Sequence, residues 1–270
     1  GTAAEKVSRV VHLTKEIAKR LNLSAEVSNA AIRAAEIGKF DLMTNMVNEF
    51  TELQGVIGEI YARNFNEQED VATAIREQYM PTHASGELPQ SEIGSVLSVA
   101  EKIDTIVGII AVGLLPTGSQ DPYALRRQAI GVLRILEDRN WDITLEELLE
   151  LAFNLYDNLE VEKVEDYKDK IHDFFKQRAA FLLREFGIEQ DIFQAVMGHE
   201  IGYYPYSVDK AKLLSAKRHD ESFKEIEEAL VRVLNLSNKA ENQKINPQLF
   251  ETESEKALYE QYLETVELYN

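Results

Sequence analysis

Apolar residues return every three to four positions over almost the whole chain, and that period limits the possible folds more than any single motif does. Val7, Val10, Val11, Leu13, Ile17 and Leu21 repeat at helical spacing, as do Val96, Leu97, Val99, Ile103, Ile106 and Val107. One face of a 3.6-residue helix carries such a pattern, whereas a half-buried strand alternates at every second residue. No Asn-Gly turn joins two alternating runs, and only six prolines interrupt 270 residues. Glu, Lys, Ala and Leu, all good helix formers, dominate. The expected fold class is all-α, and 44% hydrophobic residues supply enough apolar surface for a substantial core.

Several function classes drop out early. With no cysteine there is no disulfide framework, zinc ribbon or thiol nucleophile, and a cytoplasmic setting is expected. No apolar run approaches the ~20 residues that span a bilayer, and residues 1–20 lack the basic-then-apolar order of a signal peptide, so no membrane contact is expected. Neither a Walker loop nor a dinucleotide fingerprint occurs, so the chain is expected to carry no cofactor of its own. Its 29 basic and 47 acidic residues give a net charge of −18, which disfavours nonspecific attraction to nucleic acid or an anionic membrane. Any RNA contact must therefore be local. Residues 1–140 hold 14 basic and 19 acidic residues (net −5) and residues 141–270 hold 15 and 28 (net −13), so a basic face is easier to build in the first part.

Local chemistry marks helix ends. Asn22 and Ser24 suit a cap before "AEVSNAAIRAAEIG", and Gly38 suits its stop. Loops are expected at "MPTHASGELPQ", "LLPTGSQDP", "EDRNWDIT" and "MGHEIGYYPYS", each rich in Gly, Pro or short polar residues. Thr144-x-x-Glu147 has the form of a capping box, and composition turns more acidic after it. The expected division is therefore a first helical domain over 1–141 and a second helical region over 142–270. "ESEKALYEQYLETVELYN" stops inside a helical pattern without a cap, as the truncated C-terminus of a fragment would.

Four positions carry the outline of a metal site. His12 opens an amphipathic stretch, Ala35 and Glu36 lie in "AEIGK", and Asp104 lies in "AEKIDTIVG". This order resembles the HD superfamily of metal-dependent phosphohydrolases, whose middle motif reads His-Asp-Ile-Gly-Lys. Ala35 has no donor atom and Glu36 is one methylene longer than the aspartate it replaces. Ligand number and geometry set both affinity and water activation, so these positions are vestigial and no metal is expected. Asp104 is expected to bond instead to backbone or to a nearby Lys or Arg.

A second group of residues is basic. In "LLPTGSQDPYALRRQA", Pro116 and Gly118 make a turn, and Ser119 or Asp121 can cap a helix opening with Pro122. Arg126, Arg127 and Arg134 would then place cations near a helix start, which suits a phosphate, although Arg126 or Arg127 can also pair with Glu101, Asp104 or Asp121. Lys210, Lys212, Lys217 and Arg218 form the one dense basic run of the acidic half, and Lys217 and Arg218 are further candidates for RNA contact. Phe50 and Leu53 are expected in the core, as are Phe174, Phe175, Phe181 and Phe186. Tyr203, Tyr204 and Tyr206 crowd a loop that either stacks on nucleotides or packs over a helix.

"MVNEFTELQGVIGEIYA" and "IVGIIAVGLLPTGSQDPYALRRQAIGVLRIL", with "AEKIDT" and "GELP", resemble the β subunit of the bacterial two-subunit glycyl-tRNA synthetase in order and spacing. "LEELLELA", "IHDFFKQRAAFLLREFGIEQDIFQAV" and "VRVLNL" continue the likeness. The resemblance implies an HD-like helical bundle with a degenerate metal site, followed by helices leading into an anticodon-binding domain. It also implies the α subunit and tRNA-Gly as partners, with ATP consumed by the α subunit, which attaches glycine, and tRNA bound and oriented by this portion. Two alternatives are an active metal-dependent HD phosphohydrolase and an assembly scaffold that never touches RNA.

Overall fold

Helix follows helix because the apolar period seldom breaks and because short polar residues close the ends. The computed structural model describes residues 2–156, 161–238 and 245–269. Among these residues it contains α-helices and short 3-10 turns and no strand. The helices are α1 (Ala3–Arg20), α2 (Ala25–Ile37), α3 (Asn45–Glu49), α4 (Val56–Asn64), α5 (Glu69–Glu77), α6 (Glu92–Ala111), α7 (Leu125–Arg139), α8 (Leu145–Phe153), α9 (Val161–Glu185), α10 (Gln190–Met197), α11 (Tyr204–Lys217), α12 (Glu221–Ser237) and α13 (Glu253–Tyr269). No described helix is long and apolar enough to cross a membrane.

The chain divides into two compact units, Gly1–Ala216 and Lys217–Asn270. In the first, α6 is the axle. Its residues from Ile93 to Ala111 are buried on nearly every side, and α1, α2, α5, α7, α8 and α9 pack around it. A helix that is apolar all round cannot face water, so this segment has to become the centre. Leu97, Ile103, Ile106 and Ile110 are at most 1% exposed, and truncating any one to alanine should cost about 2–5 kcal/mol. α1 turns Val10, Leu13, Ile17 and Ala18 inward, and a Thr2–Glu5 capping box closes its N-terminus. Ser24 caps α2 as expected and Gly38 ends it.

The division expected near residue 142 falls inside this first unit. Thr144 and Glu147 do form a capping box at the start of α8. The Glu147 carboxylate also receives Arg20 of α1 at 2.9 Å, so the residue that starts α8 ties it to the first helix. Leu145, Leu148 and Leu149 join the same core as α1 and α6, and packing is continuous across the loop. A change of composition marked a change of surface charge there, and the contacts separate the chain only after Ala216.

In the second unit, Asp220 caps α12, which has no buried residue. Ile226, Leu230, Val233 and Leu236 of α12 are more than half exposed, as are Leu258 and Tyr262 of α13. Aromatic contacts order the start of α13, where Phe250 meets Tyr259 edge-on at 5.4 Å.

Candidate functional site

Asp104 sits on the axle helix with 1% of its side chain exposed. Its two oxygens are claimed from three directions. Arg9 donates from Nε to Oδ1 at 2.6 Å and from Nη2 to Oδ2 at 3.3 Å, Lys6 donates to Oδ2 at 3.2 Å, and the Tyr156 hydroxyl donates to Oδ1 at 2.9 Å. The bond to Asp104 raises Arg9 above its ordinary value, and burial pushes the Tyr156 phenol up. One turn away, Glu101 holds Lys39 at 2.9 Å and Lys6 at 3.4 Å. Lys102 donates to the carbonyls of Gln78 and Met80 and to Ser98 Oγ at 3.1, 2.7 and 2.6 Å, with its ammonium pushed down to about 7 by burial. Gly108 keeps this centre closed: a side chain there would run into the Tyr156 hydroxyl.

The other metal-site positions do not join Asp104. His12 is exposed on α1. Ala35 is buried in the core and brings only a methyl group. Glu36 is half exposed and pairs with Arg33 at 3.1 Å. His83, a histidine outside those four positions, is exposed in the loop before α6 and adds no ligand. No group of three or more His, Asp or Glu suited to a cation occurs among the described residues. A divalent ion needs several converging donors, and the one buried carboxylate of the set is already neutralised by two protein cations, so the residues present do not fit a metal.

The start of α7 differs from the sequence expectation and is more informative. The helix begins at Leu125, past Pro122, because Ala124 takes a left-handed conformation (φ 53°) as the N-cap residue. Asp121 reaches across that turn and accepts from the amides of Leu125 and Arg126 at 2.8 and 3.0 Å. The helix start thus already holds a carboxylate, and the site's capacity for another anion rests on side chains. Arg134 is not one of them: it donates to the carbonyls of Ala84 and Gly86 at 2.7 and 2.9 Å and fastens the loop before α6. The side chains of Arg126 and Arg127 form no hydrogen bond or ion pair with a described residue. By contrast, every arginine of α1 to α5 holds a carboxylate: Arg9, Arg20, Arg33, Arg63 and Arg76. Tyr123, 46% exposed, lies in the turn before α7, three residues ahead of Arg126.

Lys217 pairs with Asp220 at 3.2 Å, and Arg218 also has a partner. Lys212 pairs with Glu137 at 3.3 Å and lies over the Phe186 ring. The second basic run is therefore largely answered within the protein. The tyrosine segment expected as a loop is instead the start of α11, where Tyr204 is buried while Tyr203 and Tyr206 are 40% and 69% exposed. Of the four phenylalanines, Phe174 and Phe175 enter the core, but Phe181 and Phe186 are about half exposed. Phe50 is exposed too. The 3-10 turn at Thr51–Leu53 and the positive φ of Gly55 (81°) turn that stretch outward, and Leu53 is only half-buried.

One residue escaped the sequence reading altogether. Arg178 on α9 is 8% exposed and packs its guanidinium 3.9 Å above the Phe174 ring. The signal available was a charged residue one turn beyond Phe174, on what had to be an inward face. A groove of about 520 Å³ lies between α1 and α8, with Glu16, Glu147 and Glu150 against Lys19 and Arg20, and it includes none of the candidate residues.

The geometry defines a class: an all-α unit with a closed ionic centre and an open cationic edge, whose described residues do not fit a metal. Residues 1–198 match the family model described as glycyl-tRNA synthetase beta subunit. A glycine–tRNA ligase beta subunit of Oceanobacillus iheyensis is 52% identical over 270 residues, which cover all of this chain and 39% of that protein. Those of Halalkalibacterium halodurans and Bacillus subtilis are 44% and 43% identical, with 99% and 97% of this chain and 39% and 37% of theirs covered. The chain belongs to the glycyl-tRNA synthetase beta subunit family, and it spans about two-fifths of the length of the curated relatives it matches.

Proposed function

We propose that this part of the molecule binds tRNA-Gly and holds it for the ATP-dependent attachment of glycine by an α-subunit partner in the cytoplasm. Relatives carry the name glycine–tRNA ligase beta subunit, which supplies the reaction. The observation that supports the binding role is the pair Arg126 and Arg127, left without a carboxylate among the described residues in a chain of net charge −18 where the earlier arginines are all paired. Uncommitted guanidinium groups suit phosphate contact, and phosphate contacts set register more than sequence preference. The chain contributes no cofactor; aminoacyl-adenylate formation belongs to the partner. In this reading the domain is an HD-like shell in which Asp104, the one buried carboxylate of the metal set, holds Arg9 and Lys6.

Charge reversal tests this. R126E with R127E in the assembled enzyme should weaken tRNA-Gly binding about tenfold or more and flatten its salt dependence. Unchanged affinity removes this edge from the RNA surface. A flat titration of wild-type enzyme with labelled tRNA at low salt would instead favour the scaffold role, for which exposed Met43, Met46, Phe50 and Phe65 offer apolar surface.

A further inference from the structure

Two segments far apart in sequence are clamped together beside the chain's one tryptophan, Trp141. α7 ends at Asn140, whose left-handed backbone (φ 48°) turns the chain through Trp141 and Asp142 toward α8. At the start of α8 the Leu145 amide donates to the Gly202 carbonyl at 3.2 Å, and the Glu146 carboxylate accepts from the amides of Ile201 and Gly202, both at 3.0 Å. His172 of α9 reaches the same carboxylate at 3.0 Å. Gly202 takes a positive φ of 62°, and Tyr203, Tyr204, Pro205 and Tyr206 follow it directly into α11. Tyr204 and Pro205 are buried and anchor that end of the helix.

The clamp sets Asn140, Trp141, Asp142, Tyr203, Pro205 and Tyr206 around one cavity of about 300 Å³. Three of its residues are aromatic, and its one charged group is Asp142, which is exposed and forms no hydrogen bond or ion pair with a described residue. Tyr203 and Tyr206 stand in water on a backbone that the clamp fixes. Arg20, the cation on which the Tyr203 hydroxyl acts, is held by Glu147 at 2.9 and 3.3 Å and does not line the cavity.

An aromatic ring is negative on its faces, so rings grouped beside a carboxylate favour a cation over a neutral group of the same shape. A guanidinium or ammonium on an alkyl stem meets both features: the stem packs on the rings and the charge meets Asp142. A nucleobase also stacks on rings, but it brings a phosphate, which a cavity with a carboxylate and no lining cation repels. Residues 141–270, with 15 basic and 28 acidic residues, add to that repulsion.

We propose that this cavity takes the side chain of one arginine or lysine from a basic segment of a protein partner, held among Trp141, Tyr203 and Tyr206 with its charge on Asp142. The site does not draw on Arg126 or Arg127, so it stands or falls apart from the tRNA-binding role.

Trp141 reports on the cavity directly, because no other tryptophan occurs in the chain. In the intact chain its emission should change and saturate with acetyl-Gly-Arg-Gly-amide, with a dissociation constant on the order of 1–10 mM at matched ionic strength, as suits one side chain without the rest of its partner. The citrulline counterpart, uncharged but of the same shape, should bind at least about fivefold more weakly. Asp142→Asn and Tyr206→Leu change exposed side chains, should leave melting within about 1 °C of wild type, and should each weaken the arginine peptide about three- to tenfold. Equal binding of the two peptides overturns the charge requirement and with it the proposal. Arginine binding untouched by either substitution places the peptide elsewhere and overturns it as well. Saturation with cytidine monophosphate but not with the arginine peptide makes the cavity a nucleotide site instead. No emission change up to about 100 mM of the arginine peptide leaves the cavity without a cationic ligand and sinks the proposal outright.

Discussion

Around Asp104, two cations and a hydroxyl close on one carboxylate; at the start of α7, Arg126 and Arg127 hold no carboxylate among the described residues. Both regions lie in the first unit and are built from helices packed on the same core. The first satisfies its charges internally and so contributes to holding the fold. The second leaves charge unanswered, which adds little to stability and is what a site for an external anion requires. Net charge, −18 for the chain, reveals neither.

The contrast is broken most sharply at Asp104. Asp104→Asn keeps the shape and removes the charge, leaving Arg9 and Lys6 facing each other over a 1% exposed side chain. Breaking a buried pair on one side costs about 3 kcal/mol, which lowers the melting temperature of a unit this size by about 6–12 °C. A drop under about 2 °C would mean the centre is not what holds α1 to α6.

The next effect belongs to Lys102, which is part of the closed interior. Its folded-state value is about 7 against 10.5 for an ordinary lysine. Below pH 7 both folded and unfolded chains hold the proton, and the full penalty of burying it applies. Between pH 7 and 10.5 the unfolded chain still binds the proton and the folded chain has released it, so stability rises with pH, by at most about 1.4 kcal/mol per unit. Urea denaturation at pH 7 and pH 9 should show a gain of about 2 kcal/mol in the wild type that is missing from Lys102→Met. A wild type with the same slope as the variant shows the ammonium kept charged by its three acceptors.

How far the sequence foretold this comparison depends on how local the chemistry is. The all-α class, the caps at Ser24 and Thr144 and the buried run of α6 were legible because period and capping act within one or two turns. That Asp104 would seek a cation was legible too, but not which one, since Arg9 lies 95 residues away. Phe50 and Phe186 were expected inward, and backbone turns carry them out. Arg126 and Arg127 were recognisable as candidates, whereas their freedom from ion pairs among the described residues, and the burial of Arg178 against the Phe174 ring, arise only from tertiary packing.

At the open edge, R126E with R127E should leave melting within about 1 °C of wild type while tRNA affinity falls about tenfold, equivalent to about 1.4 kcal/mol. Binding and stability thus separate there and coincide at Asp104. A melting drop comparable to that of Asp104→Asn would show that these arginines have internal partners after all and erase the distinction between the two regions.

The smallest effect is expected where the sequence outline of a metal site was most suggestive. His12 is exposed, and Glu36 is a half-exposed partner of Arg33, which keeps Glu67 at 2.6 Å if Glu36 is lost. Surface pairs of this kind contribute about 0–1 kcal/mol, so His12→Ala with Glu36→Gln should change stability by less than about 0.5 kcal/mol. Manganese should leave the melting temperature of wild type and variant alike, because an ion would have to displace Arg9 and Lys6 from Asp104 and would find a methyl group at Ala35. A manganese-dependent rise lost in the double variant would place an ion beside the closed centre. It would also reverse the comparison, since Asp104 would then be the ligand site and its cations occupants to be displaced.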